Sequence, residues 1–264
     1  MRLTDTHCHF DFTAFDADRE AVLAACAERH VHRIVIPGVT ARQWPGLPGL
    51  GQALSTGGPQ GVSVFHALGL HPYFLAQHED HHLAQLDKDL RQGKACAVGE
   101  FGLHGPAGKM PRQIELLEAQ LALARTHGLP VILHQHRAHN EMVRALNRLP
   151  PVAGGVVHAF NGSYEMAQEY LRFGLHLGVG GVITYRRAAK TRRAIQRVPL
   201  STLVLETDGP DMPLNGYQGV RNTPTQLPSV LRALSQLRND LSVEATAQVV
   251  EDNASRLFAL PVHQ

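Results

Sequence analysis

The sequence of 264 residues predicts an α/β fold of the (β/α)₈ TIM-barrel type. Short β-type segments recur along the whole chain, and stretches with the apolar spacing of helices lie between them. This alternation indicates βαβ units in a parallel sheet, because parallel neighbours need a crossover of about a dozen residues or more. No GxGxxG turn follows the first segment, as it would in an open dinucleotide-binding sheet, so eight such units favour a closed barrel. We expect one domain over residues 1–264.

Eight strands are predicted in order along the chain, each a short run of β-type residues followed by a helical pattern. They cover Leu3–Cys8, Arg33–Pro37, Val62–Leu70, Ala95–Glu100, Pro130–His134, Gly155–His158, Leu175–Gly180 and Leu203–Asp208. The clearest helix is Gln113–His127, whose apolar residues recur at spacings of three and four. Glycine and proline are frequent in Trp44–Gly61, which predicts a loop or a broken helix, and Gly209–Pro224 predicts a long loop after the last strand.

Composition restricts the classes of protein to which the chain can belong. Lys plus Arg number 25 and Asp plus Glu number 23, so the net charge of +2 gives no whole-surface attraction to nucleic acid or to anionic lipid. The N-terminus lacks the apolar core of a signal peptide, and no apolar run approaches the roughly 18 residues of a membrane span. We therefore expect a cytoplasmic protein with no membrane association, and nothing indicates an obligate protein partner.

Cysteine and histidine point to different chemistry. The three cysteines are scattered without a CxxC pair, which argues against both a disulfide framework and a thiolate zinc site. The 17 histidines include His7 and His9 near the end of the first predicted strand. Residues two apart project to the same face of a strand, so these two can chelate a metal ion. Asp5 shares that face as a ligand or as an orienting acceptor.

Other predicted strand ends carry the same kinds of ligand. In a parallel barrel all carboxyl ends of the strands meet at one face, so these side chains should converge there. Six nitrogen and oxygen ligands without thiolate suit one or two divalent ions, and a shared carboxylate would hold two ions about 3.5–4 Å apart. With His7 and His9, the predicted ligands are Glu100, His134, His158 and Asp208.

Several longer motifs resemble those of the TatD-like metal-dependent hydrolases. They follow the family's order over almost the whole chain, and the last two below are especially specific. The motifs are DTHCHFD (5–11), GLHP (69–72), VGEFGL (98–103), PVILH (130–134), VVHAFNGS (156–163), ITYRRAAKTR (183–192) and ETDGPDMPLNGYQG (206–219). The resemblance implies an amidohydrolase-like barrel with a two-metal site and phosphoesterase or DNase activity.

The resemblance also implies roles for individual residues. His7, His9 and Asp208 match ligands of a first ion, His134 and His158 match ligands of a second, and Glu100 matches the bridging carboxylate. Asp208 is in addition a candidate catalytic base, and Glu100 is the second catalytic candidate. The ions would be Mg²⁺, Mn²⁺ or Zn²⁺.

At two positions this chain departs from the family pattern. His104 and Asn140 stand where the family usually has Asp. The metal ligands are unaffected, but both replacements bear on metal preference, pH optimum and choice of substrate.

Candidate substrate contacts come from a basic run after the seventh strand and from the third strand. Arg187 and Lys190 match the resembling family and are expected to bind phosphate, whereas Arg192, Arg193 and Arg197 are expected to form a solvated helix face. His71 is expected either to contact substrate or to cap a turn. The cluster His78, Glu79, Asp80, His81 and His82 is interpreted as a solvent-facing helix start.

The predicted activity is divalent-metal-dependent cleavage of phosphodiester bonds by a metal-bound hydroxide. The substrate would be DNA, in the manner of a TatD-like 3′-end exonuclease, or a small phosphoester. An alternative on the same barrel is hydrolysis of amides, esters or lactones, but such enzymes often bridge their ions with a carboxylated lysine where this chain has Glu100. A non-catalytic binding protein would be expected to have lost ligands, and all six are present.

Overall fold

The computed structural model describes residues 1–55 and 61–261, and in these ranges eight strands alternate with nine α-helices. The strands are β1 (Leu3–Asp5), β2 (Val31–Ile36), β3 (Ser63–His66), β4 (Val98–His104), β5 (Val131–His136), β6 (Gly155–Val157), β7 (Leu175–Val179) and β8 (Leu203–Leu205). The helices are α1 (Arg19–Glu28), α2 (Leu47–Leu54), α3 (His81–Leu90), α4 (Met110–His127), α5 (His139–Arg148), α6 (Tyr164–Leu171), α7 (Ala189–Arg197), α8 (Leu227–Arg238) and α9 (Val243–Leu257).

All strand pairs are parallel and the strands follow their order in the sequence, which closes a barrel. β1 to β3 form one ladder and β4 to β8 another. A bridge between Leu68 and Val98 joins the two ladders. At the other junction the Thr6 amide donates to the Leu205 carbonyl at 3.0 Å and the Asp208 amide donates to the His7 carbonyl at 2.8 Å. The predicted (β/α)₈ barrel is therefore confirmed.

The barrel interior is filled by small and β-branched side chains. Val35, Ile132, Val156 and Val204 point inward from four strands and form one buried cluster. The end of α9 joins this cluster through Leu257, and Phe258 directly after the helix joins it as well. Because the interior is packed, as is usual in these barrels, a ligand can reach the strands only from the rim.

All eight predicted strands are present, but several of their predicted bounds are wrong. β1 and β8 end three residues early, since beyond Asp5 and Leu205 the backbone makes only single hydrogen bonds to its neighbours. β4 is displaced toward the C-terminus, so Glu100 lies inside the strand rather than at its end. The run of β-type residues in the sequence therefore overestimates the length of these strands, because the chain leaves the sheet before the run ends.

The predicted helix and loops also have clear outcomes. α4 contains the predicted segment and begins earlier, at Met110, with Pro111 in its first turn, where the missing N–H costs nothing. Residues 206–223 contain no helix or strand. The Trp44–Gly61 segment contains α2, and residues 56–60 of it lie outside the described residues. Within the described ranges, no helix has the length and apolarity that crossing a membrane requires.

Candidate metal centre

His7 and His9 lie just beyond β1, where the chain passes between β8 and β2. Cys8 between them faces the other way, into the core, and its amide donates to the Val35 carbonyl at 3.2 Å. His7 is fully buried, and the His9 side chain is 12% exposed. Both imidazoles point to the same place, as their spacing of two predicts.

Asp5 holds the segment that carries His7 in place through hydrogen bonds to the backbone of that segment and to Thr207. Its Oδ1 accepts the amides of His7 and Thr207 at 3.3 and 3.0 Å, and its Oδ2 accepts the Thr207 hydroxyl at 2.6 Å. Burial raises the pKa of Asp5 to about 7, against the lowering effect of these hydrogen bonds. Of the two predicted roles, the contacts fit an orienting acceptor that joins the ends of the first and last strands.

Glu100 is directed into the site by an irregularity in β4. Gly99 pairs with Ile132 and Phe101 with Leu133, so Glu100 is an extra residue in the ladder with β5. Such a bulge redirects a side chain. The Glu100 amide instead donates to the Gly38 carbonyl at 2.8 Å. Residue 69 must be glycine for the Glu100 backbone to pass here, since a Cβ added to Gly69 would lie only 2.7 Å from the Glu100 carbonyl oxygen.

His134 lies within β5 and His158 directly after β6. His134 Nδ1 and His158 Nε2 are 3.0 Å apart, so these two nitrogens face each other. The buried carboxylate of Glu206 accepts the amide of Ala159, the residue that follows His158. Burial raises the pKa of Glu206 to about 8.

The two oxygens of Glu100 face two different groups of side chains. Oε2 lies 3.1 Å from His7 Nε2 and 3.6 Å from His9 Nε2, and these nitrogens are 3.5 and 3.7 Å from Asp208 Oδ1. Oε1 lies 3.0 Å from His134 Nδ1 and 2.7 Å from His158 Nε2. All six predicted ligands are thus brought together, with Glu100 between two groups.

The hydrogen bonding at this cluster is incomplete. Among the described residues, none forms a hydrogen bond with His7 Nε2 or with Glu100 Oε2, although both atoms are buried and only 3.1 Å apart. Buried polar atoms without partners are rare in proteins because each costs about 1–3 kcal/mol. Nitrogen and carboxylate oxygen atoms placed in this way fit coordination of a divalent cation.

The pKa values reflect burial and the negative charge of Glu100. Burial lowers the pKa of His7 to about 4 and that of His134 to about 3, so both imidazoles are neutral, as metal ligands must be. For His158 the attraction of Glu100 outweighs burial and raises the pKa to about 10. A cation beside Glu100 would take the place of the proton that His158 otherwise holds.

His71 also reaches Glu100, with its Nε2 3.0 Å from Oε1. Its Nδ1 accepts the amide of Tyr73 at 3.0 Å. A neutral imidazole that accepts through one nitrogen carries its proton on the other, so in this arrangement Nε2 donates to Glu100. His71, Glu100 and His134 also place ligand atoms close enough together to hold an ion. The turn-capping interpretation of His71 fits its contact with the Tyr73 amide.

A profile of the family described as TatD related DNase matches residues 4–259. The chain belongs to this family.

The TatD relatives align along nearly the full chain. YjjV of Escherichia coli K12, named an uncharacterized metal-dependent hydrolase, is 42% identical over 98% of this chain and 99% of its own. The crystal structure of YjjV superposes with a TM-score of 0.91 over the same shares. The 3′-5′ ssDNA/RNA exonuclease TatD of Erwinia billingiae is 29% identical over 94% of this chain and 96% of its own. The resemblance to TatD-like metal-dependent hydrolases is confirmed.

In this TatD family member the predicted metal site opens into two adjacent cavities. One, of about 340 Å³, has the aromatic side chains of Phe12, Tyr73 and Phe74 in its wall. The other, of about 590 Å³, is lined by Arg137 and Lys190. His134, His158 and Asp208 line both cavities. The group of predicted metal ligands therefore lies between an aromatic side and a basic side.

The predicted basic contacts lie on that second side. Lys190, in the first turn of α7, is exposed and lines the same cavity as Asp208. The Arg187 guanidinium lies over the Tyr185 ring at 4.9 Å and lines a neighbouring cavity of about 450 Å³. Arg192 donates to the Ile183 carbonyl and Arg197 lies over the Tyr164 ring at 3.8 Å, so these two are local packing contacts rather than simply solvated.

One expectation about another histidine needs correction. His78 is buried rather than solvent-facing, and its Nε2 lies 2.8 Å from the His71 carbonyl oxygen, where it helps to hold that segment. His81 is exposed, as predicted. The aromatic wall was missed, because Phe12, Tyr73 and Phe74 carry no motif and only the folded chain brings them together.

Proposed function

We propose that this protein is a two-metal phosphodiesterase that removes nucleotides from the 3′ end of single-stranded nucleic acid or cleaves small phosphoesters. The observation that carries the proposal is the division of the Glu100 carboxylate between two groups of histidines. A carboxylate placed in this way can bridge two divalent ions. The exonuclease name of a relative with 29% identity supports the choice of substrate.

In this proposal His7, His9 and Asp208 would hold the first ion, His134 and His158 would hold the second, and Glu100 would contribute to both. We propose two divalent ions, with Mg²⁺, Mn²⁺ and Zn²⁺ as the candidate metals. Bound divalent ions lower the pKa of coordinated water and neutralise charge on the phosphoryl oxygens.

Asp208 is the residue proposed to accept the proton of the attacking water. Burial raises its pKa to about 7, and its side chain is 14% exposed toward the cavities. A divalent ion bound at Asp208 would lower this pKa, because the cation favours the charged carboxylate, so Asp208 would be ionised and able to accept a proton. Glu100 remains charged, because His158 and the other histidines outweigh burial and lower its pKa.

The two cavities suggest how a nucleotide strand would lie. Exposed Lys190 and Arg187 provide positive charge for phosphate groups. On the other side, Tyr73 is 67% exposed beside Phe74 and offers a ring on which a base can stack. His71 lines the aromatic cavity, where we propose that it also contacts substrate.

Hydrolysis of an amide, an ester or a lactone is the competing proposal. A bridging glutamate and basic residues beside the site favour phosphate over a neutral carbonyl substrate.

The three cysteines are free, which agrees with the proposed cytoplasmic location. One domain over residues 1–264 is likewise part of the proposal.

The test is an assay of purified protein stripped by a chelator and reloaded with Mg²⁺, Mn²⁺ or Zn²⁺. Substrates would be single-stranded DNA labelled at either end, a chromogenic phosphodiester, and a panel of esters and lactones. The Glu100→Gln variant should lose more than about 100-fold in activity, the upper end for residues that only support ligands. Glu28→Gln, at an exposed position at the end of α1, is the matched control.

Metal-dependent loss of label from the 3′ end with stepwise shortening would support the proposal. Full activity after chelation, or in the Glu100→Gln variant, would overturn the two-metal site. Faster turnover of esters or lactones than of every phosphodiester would instead favour the competing proposal.

A further inference from the structure

We infer that His104 is a positioning residue for the second metal ion, which it orients through His134. This inference rests on the metal site proposed above. His104 is the last residue of β4, the strand that also contains Glu100. The observation is that His104 Nδ1 lies 3.0 Å from His134 Nε2.

With an ion bound at His134 Nδ1, as proposed above, the tautomers of the two rings follow from their contacts. His134 Nδ1 faces Glu100 Oε1 and His158 Nε2, so Nδ1 is the nitrogen directed at the second ion. A neutral imidazole that offers Nδ1 to a metal carries its proton on Nε2. His134 Nε2 must then donate to His104 Nδ1, and His104 must carry its own proton on Nε2.

Packing holds His104 ready to accept this proton. The buried side chain of Gln113 contacts both backbone groups of His104, accepting its amide at 2.7 Å and donating to its carbonyl at 3.1 Å. The His136 ring stacks on the His104 ring, with centroids 4.8 Å apart and planes 24° apart. Tyr73 contacts it edge-on at 5.7 Å. Three neighbouring side chains therefore hold His104 in place.

In this contact His104 can act as an acceptor for His134 but, as a neutral imidazole, brings no negative charge. Partners of this kind fix the orientation of a metal-binding histidine and increase its basicity. A neutral imidazole can fix the orientation of His134 but polarises it less than a carboxylate would. Binding of the second ion would therefore depend on His104 for the orientation of the His134 ring. His104 adds no negative charge to this contact, as an aspartate would.

The test uses two replacements of similar size. In His104→Asn, Oδ1 is attached to Cγ as Nδ1 is in histidine, so it can accept the same proton; in His104→Leu no acceptor remains. Calorimetric titration of stripped protein with Zn²⁺ and with Mn²⁺ measures the Kd of each ion. We expect the Leu variant to raise the Kd of the second ion by about 10–100-fold. The Asn variant should stay within about threefold of the unsubstituted protein.

A second readout does not depend on activity. Nitrogen-15 NMR of the zinc-loaded protein should give the Nε2–H tautomer for both rings, with a His134 Nε2 proton that exchanges slowly. That protection should be lost in the Leu variant and kept in the Asn variant. A purely structural role of His104 would lower the melting temperature in the Leu variant while leaving both the second Kd and the exchange rate unchanged.

The outcomes separate this inference from the metal proposal. If the unsubstituted protein binds fewer than two ions, the two-metal site itself fails. If it binds two ions and the Leu variant retains the second Kd within about threefold, the site stands and the role of His104 is overturned. An Nδ1–H tautomer of His104 in the loaded protein would overturn it as well.

Discussion

At the scale of single residues, the aromatic and the basic sides of the site have different consequences for binding. Lys190 on the basic side and Arg187 in the neighbouring cavity are exposed and carry charge, whereas Tyr73 presents an uncharged ring on the other side. Charge contacts respond to salt, but stacking contacts require a base. Substitutions on the two sides should therefore differ in both salt dependence and substrate dependence.

Replacing Lys190 with Ala should raise KM about tenfold for single-stranded DNA, equivalent to about 1.4 kcal/mol, through loss of a charged contact to phosphate. The slope of log affinity against log salt should also become shallower. Steady-state kinetics at several salt concentrations measures both effects. Arg193→Ala, exposed on the same helix outside the two cavities that the metal site opens into, is the control. Equal effects of the two substitutions would contradict a specific role for Lys190.

Replacing Tyr73 with Ala should weaken binding of single-stranded DNA by about 1–3 kcal/mol, the usual contribution of one stacked base. Tyr73→Phe keeps the ring and should bind normally. Fluorescence titration of labelled oligonucleotides measures this difference. A small phosphodiester that has no base should show little change in either variant. If the Ala variant loses both substrates equally, Tyr73 does not act through stacking.

At the scale of elements, the irregularity in β4 determines where the Glu100 carboxylate points. Gly69 leaves room for the Glu100 backbone, since an added Cβ would meet three backbone atoms within 2.8 Å. Gly49 in α2 has no atom within 4 Å of such a Cβ. These two glycines therefore form a matched pair for a test of this element.

Gly69→Ala should cost about 1–3 kcal/mol in the free energy of unfolding, the usual penalty of overpacking, and should weaken metal binding by displacing Glu100. Gly49→Ala should be stabilising by about 0.5–1 kcal/mol, because alanine favours the helix. Urea denaturation and metal titration of both variants measure these effects. Unchanged metal affinity in a folded Gly69→Ala variant would mean that Glu100 is positioned by other contacts.

Sequence periodicity predicted the elements better than their ends. The existence of all eight strands and of α4 follows from patterns of apolar residues, which reflect burial in a barrel. The bulge at Glu100 leaves no such pattern, because it depends on pairing with β5 and on room beside Gly69. The six ligands were predicted because strand ends converge, whereas the tautomers of His71 and His134 depend on neighbours that are distant in sequence.

At the scale of the whole molecule, histidines outside the site make stability depend on pH. His66 is 7% exposed, and burial is the main cause of its lowered pKa. Burial likewise lowers the pKa of His176 on β7, and among the described residues its Nδ1 has no hydrogen-bond partner. Both imidazoles are therefore held neutral in the folded chain.

Because their folded pKa values lie below the unfolded value of about 6.5, the stability from these neutral histidines is present above that pH. It is lost as pH falls further, because the unfolded chain then binds more protons. Between about pH 7.5 and 5.5 the raised pKa values of Asp5, Glu206 and Asp208 act in the opposite direction, so the contribution of His66 is measured by comparing His66→Gln with the unsubstituted protein. In urea denaturation of chelator-treated protein, the variant should lose less of its free energy of unfolding between these two pH values. An unchanged pH dependence in that variant would contradict the contribution of His66.

The joining of the first and last strands by Asp5 and Thr207 has a consequence for biosynthesis. These residues are 202 positions apart, and the proposed ligands His7, His9 and Asp208 come from the same two ends of the chain. A ribosome releases the first two ligands early and the third only when most of the protein has been made. In the proposed site, a first ion could therefore be held only late in the synthesis of each new chain, after most of the barrel has emerged.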